Sequence, residues 1–291
     1  MGTMDLATAI SLKPIGRGFG CEVIGADFSV PLPEAEFARL QQGWFDHSFL
    51  VFRDLRMNPA QHIAFTRRLG PLHIMEREFK LPGHPEVMVI ANEERDGKAY
   101  GSRRVGLGWH SDGEDKRIPN AGSFLHGLAI PPEGGDTLFA DMYAAYAALP
   151  ERLKRAIQGR RARFSRIDMH HVHYPLLPAL TEAEKRDRPD VFHPLVRLHP
   201  NTSRRSLFVG RWARDIEGMP HDEGRALIEE LFAFAQNDAF VYRHHWRQYD
   251  AILWDNRCML HRAMGYDEDK YVRHMLRTTL EGDSPVMAAP E

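Results

Sequence analysis

The residues best suited to chemistry lie in the stretch 108–112, with the sequence Gly-Trp-His-Ser-Asp. One residue separates His110 from Asp112, so the two side chains point to the same side if the backbone is extended. They could then bind one metal ion from adjacent positions. A third ligand would complete a face of two histidines and one carboxylate and leave the opposite positions open. The pair alone also fits a solvated loop, so the metal interpretation needs a distant partner.

That partner lies near the other end of the chain, in the segment 254–262, which contains His261. Facing strands of a jelly roll can be far apart in sequence, so the gap from Asp112 is no obstacle. In the run that follows, period-two alternation puts Arg273 and Arg277 on one strand face. Two arginines there are costly to bury without anions, and a guanidinium binds a carboxylate through two parallel hydrogen bonds. The pattern predicts a metal site beside an anion-binding surface.

Short apolar and β-branched runs predict many strands. A glycine-rich turn at 16–20 joins the first strand pair, and it lacks the following helix pattern that a phosphate-binding loop needs. The expected strands are Glu22–Ile24, Ser48–Phe52, Glu86–Ile90, Gly122–Ile130, Thr137–Ala140, Phe240–Tyr242, Ala251–Trp254 and Arg273–Leu280.

Helices are expected between these strands. Apolar residues at helical spacing predict helices over 34–47 and 221–236. Asn58-Pro59 is typical of an N-cap followed by a first-turn proline, and Gly70-Pro71 would end that helix. Asp141 is expected to cap a further helix that begins at the next residue.

The resulting fold class is mainly β with flanking α-helices, a β-sandwich or jelly roll. The last third lacks the regular alternation of strand and helix that a doubly wound parallel sheet would require. We expect one domain over 1–291, because no repeat or linker interrupts it. The polar, irregular stretch 166–193 is long for a structureless connection, which is typical of a lid or insert.

Composition limits the possible partners. The chain has 291 residues, 43% of them hydrophobic, and a formal net charge of -2, so nothing indicates binding to nucleic acid or to an acidic membrane. Cys21 and Cys258 are too few for a disulfide framework and fit a reducing compartment. No apolar run is long enough to span a bilayer, and the N-terminus lacks a signal pattern. We expect a cytoplasmic protein.

Five ordered blocks together resemble the TauD/TfdA family of Fe(II)- and 2-oxoglutarate-dependent dioxygenases. The resemblance extends over most of the chain, from about residue 18 to residue 283, and implies that family's fold, a double-stranded β-helix or jelly roll. The blocks are His110-x-Asp112, Gly134-Gly-Asp-Thr137, Trp254-Asp-Asn-Arg257, His261 and Arg273-x-x-x-Arg277.

The resemblance implies that His110, Asp112 and His261 bind Fe(II). The cosubstrate 2-oxoglutarate would take two further positions on the metal and O2 the last. The implied reaction hydroxylates a C–H bond and releases succinate and CO2. Related halogenases lack the carboxylate ligand, so the presence of Asp112 favours hydroxylation.

The resemblance also implies a pocket for 2-oxoglutarate. Thr137 and Arg273 would hold its distal carboxylate, and Trp254 would line the pocket. Each residue has a structural alternative: Thr137 could complete a turn, Arg273 could form an internal ion pair, and Trp254 could belong to the core.

For the prime substrate we expect a small organic acid. The resemblance puts Arg277 near its anionic group or near the inner carboxylate of the cosubstrate, and Lys80 could add positive charge. Glu114 stands where relatives commonly have an aromatic residue, which implies a different substrate pocket. The His that grips a sulfonate in taurine dioxygenase has no clear counterpart, since Met75 falls at about that position. A carboxylate is therefore favoured, and an aryloxyalkanoate would be cleaved at its ether bond.

Several alternatives stay open. The enzyme could be a taurine or alkylsulfonate dioxygenase, and the same ligands could serve a zinc hydrolase, which would not need Arg273 or Thr137. A non-catalytic jelly roll that binds a small acid is a third possibility. His170, His171 and His173 could form a second metal site, although a solvated or lid role is more common for such a cluster. We also expect a homo-oligomer.

Overall fold

The computed structural model describes residues 10–16, 18–75, 79–174 and 177–290. In chain order its strands are β1 (Ser11–Pro14), β2 (Cys21–Ile24), β3 (Phe49–Phe52), β4 (Lys80–Leu81), β5 (His84–Ala91), β6 (Glu94–Arg95), β7 (Lys98–Ala99), β8 (Gly122–Ala129), β9 (Thr137–Asp141), β10 (Arg161–Phe164), β11 (Val191–Pro194), β12 (Val196–Leu198), β13 (Arg205–Leu207), β14 (Ala213–Ile216), β15 (Val241–His244), β16 (Ala251–Asp255), β17 (Met259–Ala263), β18 (His274–Leu280) and β19 (Met287–Ala288).

The α-helices carry the stop and start signals that the sequence shows. Asn58 and the residue at N3, Gln61, form a reciprocal capping box before a first-turn proline. The Asp141 side chain accepts hydrogen bonds from two backbone N–H groups of the helix that follows. The helices are α1 (Glu34–His47), α2 (Pro59–Leu69), α3 (Met142–Ala148), α4 (Glu151–Ile157), α5 (Arg166–His173), α6 (Glu182–Asp187) and α7 (His221–Ala235), with a short 3-10 helix at Asp238–Phe240.

Two sheets enclose the site. The larger has eight strands in the order β1-β2-β3-β16-β8-β18-β5-β4, and only the β2–β3 pair is parallel. The smaller has the order β15-β9-β17. Three further small sheets, β11-β10-β14, β13-β12-β19 and β6-β7, lie outside this pair.

Period-two alternation in the small sheet decides which side chains face the large one. Phe139 and Met259 belong to a buried cluster that includes Ile252 and Met275 of the large sheet. Their neighbours Ala140 and Leu260 point the other way and join a separate cluster. Burying one large apolar side chain contributes about 1.5–3 kcal/mol. The shared cluster therefore holds the two sheets at a fixed spacing, and His261 lies on the same face as Met259.

Both outer faces are covered by helices. Phe37, Leu40 and Trp44 of α1 are buried together with residues of α2 against the large sheet. On the other side, the segment 142–240 between β9 and β15 carries α3 to α7 and β10 to β14. It forms its own apolar cluster with Ala140 and Leu260. The insert thus covers the outer face of the small sheet.

Most elements match the sequence expectations, with three corrections. The stretch 166–193 is not irregular, because it contains α5, α6 and the start of β11; residues 175–176 within it lie outside the described part. Short helices with caps supplied by Ser165 and Thr181 carry too little apolar periodicity to be recognised. The expected strand 240–242 is shifted to Val241–His244, and the last long strand begins one residue late, at His274.

Within the described residues, no helix is both long and apolar enough to cross a membrane.

Candidate metal and anion site

A short antiparallel bridge brings the two distant histidines together. The His110 backbone N–H donates to the His261 carbonyl at 3.1 Å, and the His261 N–H donates to the His110 carbonyl at 2.8 Å. Residues that exchange both bonds lie directly opposite each other. Their imidazole ring centroids are 4.2 Å apart. The sequence segment around residue 110 therefore adds an edge to the small sheet next to β17.

Local geometry turns Asp112 to the same side as His110. The intervening Ser111 points away, and its hydroxyl donates to the Asn256 carbonyl at 2.8 Å. The Asn256 side-chain oxygen accepts from the Asp112 N–H at 3.3 Å. Asn256 thus fastens both residues to the β16–β17 turn, which also leads to His261. One turn positions all three candidate ligands.

The ligand atoms of His110, Asp112 and His261 converge without bonding to one another. All lie within 4.8 Å of each other. The nearest Asp112 oxygen is 3.7 Å from Nε2 of His110 and 3.9 Å from Nε2 of His261. These separations are too long for hydrogen bonds but can be bridged by one ion with bonds of about 2.0–2.2 Å. The three residues fit a metal ion, as the sequence predicts.

Protonation states also suit metal binding. Burial lowers the pKa of His110 to about 4 and brings that of His261 well below its usual value, so both imidazoles are neutral near pH 7. The His110 Nδ1 lies 2.8 Å from the Gly108 carbonyl, which leaves Nε2 as the atom that faces Asp112. Burial alone would raise the pKa of Asp112, but Arg277 and the two histidines lower it below its ordinary range. A neutral imidazole and an ionised carboxylate are the forms that bind metals.

Glycine is required at one point beside this group. Gly106 has φ +74°, and a Cβ there would lie 3.2 Å from Cε1 of His110. A side chain would both strain the backbone and crowd the imidazole.

Arg273 is a buried cation without an anionic partner. Only 8% of the residue is exposed, and its Nε has no hydrogen-bond partner. No carboxylate of the described residues lies within 4.0 Å of its guanidinium. Burial lowers its pKa to about 10, so it is still charged near neutral pH. An uncompensated buried charge is unfavourable, which makes this a binding position for an anion.

The turn before β9 makes room for that arginine. Gly135 has φ +69°, and a Cβ there would lie 3.6 Å from Nε of Arg273. Thr137 follows at the start of β9, and its hydroxyl oxygen accepts from the Trp246 indole N–H at 2.9 Å. The accepted bond leaves the hydroxyl proton free to donate. The glycine turn, the threonine and the arginine are therefore compatible with one anion site.

Trp254 lies against a candidate metal ligand. Its ring centroid is 4.8 Å from that of His261 and 5.8 Å from that of Phe139. The residue is only 2% exposed, and its indole N–H donates to the Asn256 side chain at 3.0 Å. These contacts fit the core alternative and support the orientation of His261.

Arg277 lies on the inner face of β18, next to the metal group. Its Nη1 is 3.3 Å from Oδ1 of Asp112, and its Nη2 is 3.3 Å from the sulfur of Met88. Met88 is also the register partner of Lys80 in β4. Residues in register across a sheet share a face, so Lys80 lies on the same face two strands away. Lys80 is exposed, whereas Arg277 is half-buried.

Glu114 does not line a pocket, although the sequence implied a different substrate pocket at this position. The residue is 0% exposed. Its two oxygens accept from the Ser111 N–H and the Trp212 N–H, each at 3.0 Å. Burial raises its pKa to about 7. Because both oxygens are used by the backbone, Glu114 joins the metal loop to the insert and does not present a pocket side chain.

Other histidines do not form a second open site. In α5, His171 is exposed, while the His173 Nε2 lies 2.7 Å from the Arg211 carbonyl. Among the described residues a second group of potential ligands does converge, formed by His199, Asp255 and Cys258. The donors and acceptors of that group are already paired.

Several residues that support the site were not expected from the sequence. Ser123 donates its hydroxyl to Oδ2 of Asp112 at 2.9 Å. Trp246 supports Thr137, and Asn256 holds Asp112. Asn256 lies inside the quoted Trp254–Arg257 block and could have been proposed from it. A serine in an apolar strand and a tryptophan in a loop carry no signal of their own.

Comparisons with known proteins identify the family to which the chain belongs. The model of the family "Taurine catabolism dioxygenase TauD, TfdA family" matches residues 11–279. The chain is 35% identical to an alpha-ketoglutarate-dependent 2,4-dichlorophenoxyacetate dioxygenase from Cupriavidus pinatubonensis, over 96% of this chain and 100% of the relative. It is 34% identical to an (S)-phenoxypropionate/alpha-ketoglutarate-dioxygenase from Sphingobium herbicidovorans, over 96% of this chain and 97% of the relative.

A solved structure is similar over nearly the whole length. The crystal structure of AAD-2 in complex with Mn(II) and N-oxalylglycine superposes with a TM-score of 0.83 at 30% identity, covering 96% of this chain and 98% of that one. Together with the family match, these relatives determine the class of the protein. The chain belongs to the TauD/TfdA family of 2-oxoglutarate-dependent dioxygenases.

Proposed function

We propose that this oxidoreductase uses Fe(II), 2-oxoglutarate and O2 to hydroxylate a C–H bond of a small organic acid. The observation that carries the proposal is the combination of one convergent ligand group with one buried, unpaired arginine. His110, Asp112 and His261 would hold the iron, and Arg273 with Thr137 would hold the distal carboxylate of 2-oxoglutarate. The facing sheets support a double-stranded β-helix, or jelly roll, as the single domain that carries this site.

Bound iron with 2-oxoglutarate and O2 supplies the oxidising chemistry, in which the cosubstrate becomes succinate and CO2 and one C–H becomes C–OH. The chain's own residues position the reactants. Arg273 fixes the far end of the cosubstrate through charge-assisted hydrogen bonds, and Thr137 donates its hydroxyl proton to the same carboxylate. Ser123 and Arg277 keep Asp112 ionised and oriented. Trp254 holds the His261 ring in place.

The substrate class that we propose is a carboxylate, with aryloxyalkanoates favoured over sulfonates. Two curated relatives act on aryloxy acids, as their names state. Arg277 lies beside the iron site, and Lys80 shares its sheet face two strands away. Both would attract the acid group. Hydroxylation of the carbon next to an ether oxygen gives a hemiacetal, which breaks down, so turnover would appear as ether cleavage.

The test measures succinate formation with Fe(II), 2-oxoglutarate and pairs of carboxylates and sulfonates that share one carbon skeleton. We expect the carboxylate of each pair to be turned over faster by the wild type, and Arg277→Gln to weaken that preference. Faster turnover of the sulfonates, including taurine, would favour the alkylsulfonate alternative. Succinate formation at the same rate with and without added Fe(II) would contradict the proposed dioxygenase site.

The segment 166–193 is proposed as a lid or insert over the site. Arg166 at the start of α5 donates to the Asp115 carboxylate at 3.1 Å, and Arg188 after α6 lies 3.5 Å from the same oxygen. Both ends of the segment are thus tied to the loop that carries Asp112. The homo-oligomer and the cytoplasmic location stay predictions.

A further inference from the structure

A third arginine is held beside the metal loop by the insert. Arg211 lies between two residues whose backbones touch Glu114. The Trp212 N–H donates to Oε1 of Glu114 at 3.0 Å. At Gly210, an added Cβ would fall 2.0 Å from Oε2 of the same carboxylate. Because Glu114 is two residues from Asp112, this contact fixes Arg211 next to the candidate iron ligands.

The side chain of Arg211 is oriented by aromatic neighbours. Its Nη2 donates to the Tyr174 hydroxyl at 3.2 Å. The guanidinium carbon lies 5.0 Å from the Trp212 ring centroid and 5.7 Å from that of Tyr174. Stacking of this kind restricts an arginine side chain and prepares its planar group for a partner.

Arg211 has no anionic partner within the described residues. No carboxylate there lies within 4.0 Å of its guanidinium, and its Nε is buried without a hydrogen bond. Glu114 is nearby, but both of its oxygens already accept from backbone N–H groups. Burial is the main cause of the lowered pKa of His110 and His261, and the Arg211 charge lowers both further. The Arg211 charge is therefore close enough to interact with both candidate ligands and with Glu114.

The three arginines near the site differ in what they contact. Arg273 lies beside the turn at Gly135 and has no carboxylate partner among the described residues, so the cosubstrate would bind there. Arg277 donates to Asp112 and so shares its charge with an iron ligand. Arg211 alone among them comes from the insert and is stacked against aromatic rings. An aryloxy acid presents a carboxylate and an aromatic ring, which complement this pair of features.

We propose that Arg211 forms the direct hydrogen bonds to the carboxylate of the prime substrate, while Arg277 and Lys80 attract the acid by their charge. The inference rests on the proposed function and deepens it, since it names a contact within the insert. Tyr174 acts as a positioning residue that holds the guanidinium. His173, one residue earlier, also contacts the Arg211 backbone. These two contacts join Arg211 to the C-terminal end of α5.

The experiment compares wild type, Arg211→Gln, Arg211→Lys and Tyr174→Phe, with 2,4-dichlorophenoxyacetate and its uncharged amide as probes. Arg214→Gln is the matched control, because Arg214 lies three residues after Arg211, in β14. The readouts are KM for the acid, KM for 2-oxoglutarate, and the affinity for the acid by calorimetry with 2-oxoglutarate and Mn(II) present.

Arg211→Gln removes one charge-assisted hydrogen bond. We therefore expect KM and the dissociation constant for the acid to increase by about 10- to 100-fold. KM for 2-oxoglutarate should stay unchanged, Arg211→Lys should recover part of the affinity, and Tyr174→Phe should show a smaller increase. The amide should bind equally to wild type and Arg211→Gln, and Arg214→Gln should match the wild type.

Equal affinity for the acid in wild type and Arg211→Gln would overturn the inference, as would equal losses in Arg214→Gln. A wild type that consumes 2-oxoglutarate but binds neither probe would also overturn it, while leaving the dioxygenase assignment in place. A wild type that forms no succinate from 2-oxoglutarate would overturn the proposed function itself.

Discussion

Among the described residues, two buried groups contain a histidine, an aspartate and a third potential metal ligand. In His110–Asp112–His261 and in His199–Asp255–Cys258, the ligand atoms all lie within 4.8 Å of one another. Their surroundings differ. In the first group the ligand atoms face each other at distances too long for hydrogen bonds. In the second, Nε2 of His199 is hydrogen-bonded to the Asp255 carboxylate, and the Cys258 thiol donates to the Asp255 backbone carbonyl.

The second group is a closed network. Nε2 of His199 lies 3.0 Å from Oδ2 of Asp255, and Arg257 donates to both oxygens of that carboxylate, at 2.9 and 2.7 Å. Burial raises the pKa of the Cys258 thiol, which disfavours the thiolate that a metal needs. The group stabilises the β16–β17 turn. Proximity of ligand types is therefore not sufficient for a metal site, because the donors and acceptors must also be free.

The largest effect that separates the two groups should be on turnover. His261→Ala removes one of the three protein ligands that we propose, so we expect succinate formation to fall to background even with iron in excess. His199→Gln changes the closed group and should retain most of the activity of the folded protein. The measurement is succinate formed per folded chain. Full activity of His261→Ala would remove this residue from the site.

The same contrast applies to arginines, since Arg257 is paired with Asp255 while Arg273 has no carboxylate partner among the described residues. Losing the charged partner of a buried carboxylate costs about 3–5 kcal/mol. Arg273→Ala should therefore raise the 2-oxoglutarate requirement by about 100- to several-thousand-fold. Arg273→Lys, which keeps the charge but loses the planar fork, should be intermediate. An unchanged requirement would mean that another residue holds the distal carboxylate.

The closed group should matter for stability. Asp255→Asn removes the charge that Arg257 and His199 share, and breaking such a buried pair lowers the free energy of unfolding by about 3–5 kcal/mol. Urea unfolding of the iron-free protein measures this change. Asp54→Asn, at an exposed ion pair with Arg56, is the control and should change little. A similar small loss in Asp255→Asn would show that the network is dispensable for the turn.

The smallest effect concerns the segment 166–193, which we propose as a lid over His110, Asp112 and His261. If 166–193 closes over substrate, amide hydrogen exchange in α5 and α6 should slow when 2-oxoglutarate and an aryloxy acid are added together. Exchange in α1, which packs on the far face of the large sheet, serves as the internal reference and should not change. Equal exchange in α5 with and without ligands would make the segment a fixed part of the insert.

Sequence alone was informative where chemistry and local rules coincide. The ligand atoms of His110 and Asp112 converge, as the spacing predicts, although Asp112 already lies in a turn. The caps at Asn58 and Asp141 begin helices where expected. His261 could be proposed as the partner of His110 from its residue type and the expected jelly roll, and the family resemblance supported that choice. The bridge itself could not be predicted, because residues this far apart leave no local pattern.

What the sequence could not supply depends on tertiary contacts. Whether an arginine is paired is decided by the strand or turn that faces it, so Arg257, Arg273 and Arg277 look alike in the sequence. Glu114 was expected to shape the substrate pocket, but two backbone N–H groups use both of its oxygens. The helices in 166–193 are short, with six and eight residues, and too brief for a clear apolar period.

The most direct test of the account is equilibrium dialysis against Fe(II) under anaerobic conditions, with 2-oxoglutarate present, for wild type, His261→Ala and His199→Gln. We predict one bound iron per chain in the wild type and in His199→Gln, and none above background in His261→Ala. Iron retained by His261→Ala but lost from His199→Gln would contradict the account, since it would place the metal in the group that we describe as closed.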